Sequence, residues 1–202
     1  MIHREVESRY AQVTKGYDPN VLTQRNDLAF VWALKQSQCK AMITHADGSY
    51  EEAMLPVDHG ISASVAATYC YMNLEASVPQ LKDWMTPTQL REQTIDRINA
   101  YISPPGYGTP LHFDIRTVWI VQLFGEKTWH VSNYPATPTP HRNCIAGRES
   151  DVIDYDGTTL VIPDELHTTT MLPGDWMCVP RGAWHETLSQ KGSVSVTLAA
   201  PT

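Results

Sequence analysis

Apolar residues recur at helical spacing over residues 27–36 (DLAFVWALKQ), which predicts an amphipathic helix capped by Asn26 or Asp27. The period then changes. Residues 40–45 and 50–55 flank Ala46-Asp47-Gly48-Ser49, and Asp-Gly tolerates the positive φ of a hairpin turn, so two paired strands are expected there. A second helical stretch spans residues 79–93, with Pro87 placed where a helix begins. From Ile95 onward the chain reads as strands. Residues 96–103 (DRINAYIS) alternate, and residues 117–124 (TVWIVQLF) are rich in β-formers. Short candidates come next at 127–132, 168–172, 176–179, 186–189 and 193–199, with Gly and Pro between them. Many short strands with turn signals predict a sandwich or barrel. Residues 135–151, rich in Pro, Thr, Arg and Asn, form a long surface loop, and loops of that length are functional or mobile. No repeat, low-complexity tract or linker interrupts the pattern. The expectation is one mainly β domain over 1–202, in which an α-containing part (1–94) packs on a β core (95–200).

Composition narrows the function classes. The chain has 202 residues, 42% hydrophobic and 18% charged, which suits a folded domain with a real core and argues against disorder. Asp and Glu outnumber Lys and Arg by 22 to 15, for a net charge of -7, and no basic run occurs, so nucleic acid is not an expected partner. An acidic surface suits a basic peptide, and it equally serves plain solubility. Cys39, Cys70, Cys144 and Cys178 form no C-x-x-C pair, so neither a zinc ribbon nor a redox motif is indicated, and each reads as a buried or half-buried thiol in a reducing compartment. The N-terminus carries Glu5 and Glu7 where a signal peptide would be apolar, and no apolar run approaches the roughly 20 residues that span a bilayer. A soluble, cytoplasmic protein is expected.

The chemistry concentrates in Thr109-Pro110-Leu111-His112-Phe113-Asp114 and, later, in Pro180-Arg181-Gly182-Ala183-Trp184-His185. His-x-Asp/Glu alone is weak, because His3-Arg4-Glu5 and His45-Ala46-Asp47 match it too. Context separates them. His3 lies at the terminus, and Asp47 has a turn role of its own. His112 and Asp114 open a strand, where residues two apart share a face and reach one ion together. His185, presented at a strand start, supplies a third ligand. Two histidines and one carboxylate hold one face of Fe(II) and leave the other open, while zinc is the alternative metal.

Three successive segments resemble motifs of the JmjC-type, cupin-fold 2-oxoglutarate oxygenases: Asn99-Ala100-Tyr101-Ile102-Ser103-Pro104-Pro105-Gly106, Leu111-His112-Phe113-Asp114, and Val121-Gln122-Leu123-Phe124-Gly125-Glu126-Lys127-Thr128-Trp129. Residues 172–185 are similar to the later motif with its Pro-Gly-Asp turn and ligand histidine. Within the family the ribosomal-oxygenase-like branch, whose members hydroxylate protein side chains, is the nearest match. The resemblance covers roughly residues 95–200 and implies a double-stranded β-helix (jelly roll). It also implies His112, Asp114 and His185 as iron ligands and Lys127 as the cation that pairs with the distal carboxylate of 2-oxoglutarate. Thr109 matches a position whose hydroxyl helps bind that carboxylate. Asn99 and Tyr101 share a strand face that would line the co-substrate pocket, and Ser195 or Thr197 adds a hydroxyl.

The resemblance implies an Fe(II)- and 2-oxoglutarate-dependent, O2-consuming hydroxylase of an unactivated C–H bond, forming succinate. A peptide or protein side chain is the expected substrate, with a free amino acid or small metabolite as the second. Arg116, Trp119, Tyr107, Trp184 and the 135–151 loop are candidates for the rim that selects it, and no aromatic cage for a methylated amine is seen. The ribosomal oxygenases carry a dimerisation region and a winged-helix-like region after the catalytic core. Here the resemblance stops at the last core strand, so a minimal catalytic core is expected, with a homodimer as one partner state. The rival readings are a metal cupin that works without 2-oxoglutarate, as an isomerase or dioxygenase, and a degenerate cupin that only binds.

Overall fold

The computed structural model describes residues 38–56, 66–77, 94–146 and 152–202. The helices expected at 27–36 and 79–93 lie outside the described residues. The Asp-Gly hairpin forms as expected. Strands β1 (Gln38–His45) and β2 (Tyr50–Pro56) pair antiparallel around Gly48, whose φ of 81° only glycine adopts at little cost. Strand β3 (Ala67–Tyr71), not anticipated from the pattern, is buried along its whole length. Such a strand loses the alternation by which the eye finds it. A single-turn helix, α1 (Leu74–Ser77), comes after it.

The β core follows the strands expected from Ile95 onward, with β8, β9 and β10 added. It comprises β4 (Arg97–Ser103), β5 (His112–Phe113), β6 (Val118–Gly125) and β7 (Lys127–Pro135). It continues with β8 (Cys144–Ile145), β9 (Val152–Tyr155), β10 (Thr158–Val161) and β11 (His167–Met171). Last come β12 (Trp176–Val179), β13 (Ala183–Leu188) and β14 (Ser193–Ala199). Strand β13 begins three residues before the expected start at 186, which places His185 inside a strand. The β9–β10 hairpin is an addition to the expected strands, although its turn is again Asp-Gly, with Asp156 and Gly157 at φ 52° and 83°.

The strands form a seven-stranded sheet, in order β12-β6-β14-β4-β3-β1-β2, and a five-stranded sheet, in order β11-β7-β13-β5-β8. The pairings are antiparallel, and the two sheets face each other as a jelly roll. Strands β1 to β3 extend the larger sheet, so residues 38–56 and 67–71 share its hydrogen-bond ladder.

Alternation explains how the faces are used. On β4, Arg97, Asn99 and Tyr101 face a cavity between the sheets, while Ile98, Ala100 and Ile102 pack with Tyr69, Val196 and Leu198 on the opposite face. One end of the space between the sheets is filled by Ile120, Val131, Met171 and Met177. The other end stays open as the cavity. A third cluster, Phe113, Cys144, Tyr155, Leu160 and Trp184, lies behind the five-stranded sheet.

That alternation also decides the fate of two expected rim residues. Trp119 belongs to the core of the larger sheet, because its neighbour Val118 takes the cavity face. Trp184 is 1% exposed and packs on Phe113 at 4.7 Å between ring centroids, because His185 takes the inward position. Neither tryptophan reaches the rim. Tyr107 is also absent from the cavity lining, and its backbone bridges to Ser189 instead.

The 135–151 loop, as far as residue 146, is held rather than loose. The Tyr155 hydroxyl accepts the amides of His141 and Arg142 at 3.0 and 2.9 Å and donates to the Arg142 carbonyl at 2.8 Å. Asp156 accepts from Arg142 Nε at 3.2 Å and also bonds the His141 ring. Within the loop, β8 pairs with β5, setting Ile145 opposite His112.

Candidate metal and co-substrate site

Strands β5 and β13 are antiparallel neighbours, and His112 and His185 are paired across them. Directly opposed residues share a face, so both imidazoles enter the cavity with ring centroids 4.1 Å apart. Asp114 comes two residues after His112 and keeps the same side. Its carbonyl accepts the Gly182 amide at 2.8 Å, which ties the end of β5 to the turn that launches β13. One ligand atom from each of His112, Asp114 and His185 lies within 4.8 Å of the others. The Asp114 carboxylate approaches His185 Nε2 at 3.7 Å.

Both rings are oriented from behind. Nδ1 of His112 donates to the Pro110 carbonyl at 2.7 Å, and Nδ1 of His185 donates to the Ala183 carbonyl at 2.9 Å. A carbonyl only accepts, so each Nδ1 carries the proton and each Nε2 lone pair is left for a metal. Burial, and then the neighbouring His112, push His185 down to about 4, so it is the neutral ligand form at ordinary pH. Trp129 stacks on the His185 ring at 5.9 Å and 24°.

The outward residues of the same two strands brace the ligands. Phe113 sits between His112 and Asp114, and it meets Trp184 at 4.7 Å and Tyr155 at 5.5 Å, both edge-on. Phe113→Leu keeps the apolar burial but loses both ring contacts, each worth about 0.5–1.5 kcal/mol. It is expected to lower unfolding free energy by about 1–2 kcal/mol in urea melts and to weaken metal affinity together with it.

Lys127, which the resemblance implies as the carboxylate anchor, is 1% exposed at the start of β7 and lines the cavity. Its Nζ lies 5.5 Å from the centre of the Tyr101 ring, and among the described residues no carboxylate pairs with it. Burial holds the ammonium down to about 8. A buried cation without a counter-ion is costly, and it suits an anionic group entering the cavity. Tyr101 is raised well above the ordinary tyrosine value, by burial first and then by Cys70 and Asp114.

The remaining predicted residues divide. Asn99 lines the cavity, with its Oδ1 accepting the Asn73 amide at 3.1 Å. Thr109 lines it too, and its hydroxyl is already 2.9 Å from that of Thr187. On β14, Thr197 reaches the cavity and Ser195 does not, although the two share a face; Ser195 is buried beside Tyr101 in register. Arg116 and, from the 135–151 loop, Asn143 and Ile145 also line it. Thr187, Trp129 and Cys70 are lining residues that the sequence reading misses. Thr187 is the findable one, two residues after His185 and so on the same face.

A close approach fixes the first of these walls. A Cβ on Gly108 would stand 1.7 Å from the Thr187 carbonyl oxygen. Gly108→Ala therefore has to push the 104–111 loop away from β13. The expected result is a destabilised protein with weakened metal and co-substrate binding, read by thermal melts and titration.

The cavity holds about 260 Å³ between the sheets. A jelly roll that sets two histidines and a carboxylate on one inner face, with a buried lysine beside them, defines a protein of the metal-dependent cupin class. The JmjC domain family matches residues 73–202, and the chain belongs to that family. Among curated proteins it is 24% identical over 215 residues to the ribosomal protein uL16 3-hydroxylase of Escherichia coli (strain K12), covering 99% of this chain and 52% of the relative. It is 31% identical over 105 residues to ribosomal oxygenase 2 of Bos taurus, covering 50% of this chain and 20% of that protein. It is 26% identical over 132 residues to the uncharacterized protein YxbC of Bacillus subtilis (strain 168), covering 60% and 40%. The chain thus spans between a fifth and about half of the length of these relatives. Among solved structures, the E. coli ribosomal oxygenase YcfD in complex with cobalt and 2-oxoglutarate superposes with a TM-score of 0.60 at 17% identity, over 97% of this chain and 49% of that one.

Proposed function

We propose that this chain is an Fe(II)- and 2-oxoglutarate-dependent oxygenase that hydroxylates a protein side chain. The observation that carries the reading is the joint presence, in one cavity, of the His112–Asp114–His185 cluster and the buried Lys127 ammonium, which no carboxylate among the described residues pairs. The donor set fits iron: two imidazoles, each held through Nδ1 by a backbone carbonyl with Nε2 toward the cavity, and one carboxylate make a facial set with open positions. The ammonium fits the far carboxylate of the co-substrate. Relatives named as ribosomal oxygenases, and a solved neighbour that holds cobalt and 2-oxoglutarate, support the same reading.

When bound, iron and 2-oxoglutarate supply the oxidation, dividing O2 between succinate, formed with loss of carbon dioxide, and the hydroxylated product. The chain's own residues do the rest. His112, Asp114 and His185 fix the metal's orientation through the Pro110, Ala183 and Gly182 backbone contacts. Lys127 and the Tyr101 hydroxyl receive the carboxylate at the buried end, and Trp129 and Cys70 exclude water around it. Thr109 and Thr187, bonded to each other, form a polar wall beside the lysine.

The test is anoxic visible absorption during addition of Fe(II) and then 2-oxoglutarate. A charge-transfer band that requires both supports the proposal. Bound iron with no band points to a cupin that works without the co-substrate, and no iron binding sinks the site.

A further inference from the structure

Among the described residues the charges that face the cavity are unbalanced, and the imbalance lies at its mouth. Three cationic side chains line it, Lys127, Arg97 and Arg116, and among the described residues Asp114 is the only carboxylate that does. Arg116 is already committed, because its Nη1 donates to Asp96 at 2.6 Å and to the Ala200 carbonyl at 2.7 Å. The nearby hairpin acids are engaged as well. Glu51 stands 3.6 Å from His45, Glu52 is 2.8 Å from Lys40, and Asp47 accepts from Ser49. Arg97 is different. It is exposed, it faces the cavity, and among the described residues its guanidinium has neither a salt bridge nor a hydrogen bond.

Strand geometry places this arginine. Arg97, Asn99 and Tyr101 share one face of β4. Tyr101 stands beside the Lys127 ammonium at the closed end, so Arg97 lies four residues further out, roughly 13 Å along the strand at ~3.3 Å per residue. With iron and 2-oxoglutarate in place on the proposed reading, the two cofactors cancel in charge and Lys127 cancels Asp114. Among the described residues, the guanidinium of Arg97 then leaves the mouth positive. An incoming lysine or arginine side chain would meet it as a like charge, whereas a carboxylate would gain a bidentate partner. The acidic composition of the chain suits a basic peptide, and the cavity points the other way.

We propose that Arg97 is the specificity-determining residue of this site and that it selects a substrate presenting a carboxylate at the cavity mouth, that is, an acidic peptide segment. This rests on the oxygenase reading above. The test uses three synthetic peptide libraries with a randomised central residue flanked by glutamate, glutamine or lysine. Each is equilibrated anoxically with the protein loaded with Fe(II) and 2-oxoglutarate, and retained peptide is quantified by mass spectrometry. The charge-transfer band, recorded on every sample, reports separately whether the metal and co-substrate half is intact. Its absence from the unaltered protein would sink the oxygenase reading itself.

With the band present, the glutamate library is expected to be retained at least tenfold over the lysine library, with glutamine between them. Arg97→Gln flattens the ranking and Arg97→Glu inverts it, an inversion that no merely structural role of Arg97 produces. Preferential retention of the lysine library, equal retention of all three, or a ranking unmoved by Arg97→Glu overturns the proposal.

Discussion

His185→Ala is expected to abolish iron retention and turnover while leaving the protein folded. The loss should exceed the roughly 10–100-fold cost of removing an outer-shell partner of a metal ligand, since a ligand itself is gone. Folding should survive for a specific reason. His185 is desolvated and crowded by His112, so its ring adds no ion pair to stability, and the strand is anchored from the other side by Trp184 against Phe113. Metal analysis after anoxic reconstitution, with circular dichroism on the same samples, checks both halves. A variant that still binds iron stoichiometrically would show that the three residues are not the ligand set. Asp114→Ala should behave alike, with the added removal of the one carboxylate that lines the cavity among the described residues.

Lys127→Met is expected to act in opposite directions on stability and on binding. The lysine is 1% exposed, and burial holds its ammonium down to about 8 from an ordinary 10.5. The unfolded chain therefore keeps its proton over a window in which the folded chain gives it up. Stability rises with pH between those two values, and the penalty is felt in full below about 8. At neutral pH the difference amounts to about 3 kcal/mol against the native state. Methionine has a similar length and no charge, so the variant should gain about 1–3 kcal/mol and melt at a higher temperature. Its affinity for 2-oxoglutarate should fall by about 2–5 kcal/mol, roughly 30- to 5,000-fold, because the buried partner of a carboxylate is removed. In the unaltered protein, co-substrate affinity should decline as pH rises past about 8, since only the protonated amine attracts the anion. Thermal melts and co-substrate titrations across pH settle the matter, and a Lys127→Met protein that is less stable would mean the ammonium is paired and structural.

A trade of this kind is what a binding site looks like in physical terms. Lys127 is a cost to the fold, recovered only when an anion arrives. The same logic applies to the paired hydroxyls of Thr109 and Thr187, which satisfy each other and so make a milder claim to function.

Much of this is legible in the sequence. Alternation in residues 96–103, and β-formers between Gly and Pro turn signals after them, determined most of the core strands. The His-x-Asp spacing determined that two ligands share a face, and the Asp-Gly pair determined the first hairpin. The family resemblance singled out Lys127, whose burial in the cavity no local pattern shows. Other features needed the tertiary structure. Which of three His-x-Asp/Glu matches meets a second histidine depends on the pairing of β5 with β13, a contact between residues far apart in the chain. Trp119 and Trp184 were ambiguous until register showed that each flanks an inward residue and must point away from the cavity. Strand β3, buried throughout, carries no periodic signal at all. The balance of charge inside the cavity is a property of no segment. Arg97, Arg116, Asp114 and Lys127 lie apart in sequence and meet only because two sheets close over one space, and that closure alone decides which of them keeps a free charge.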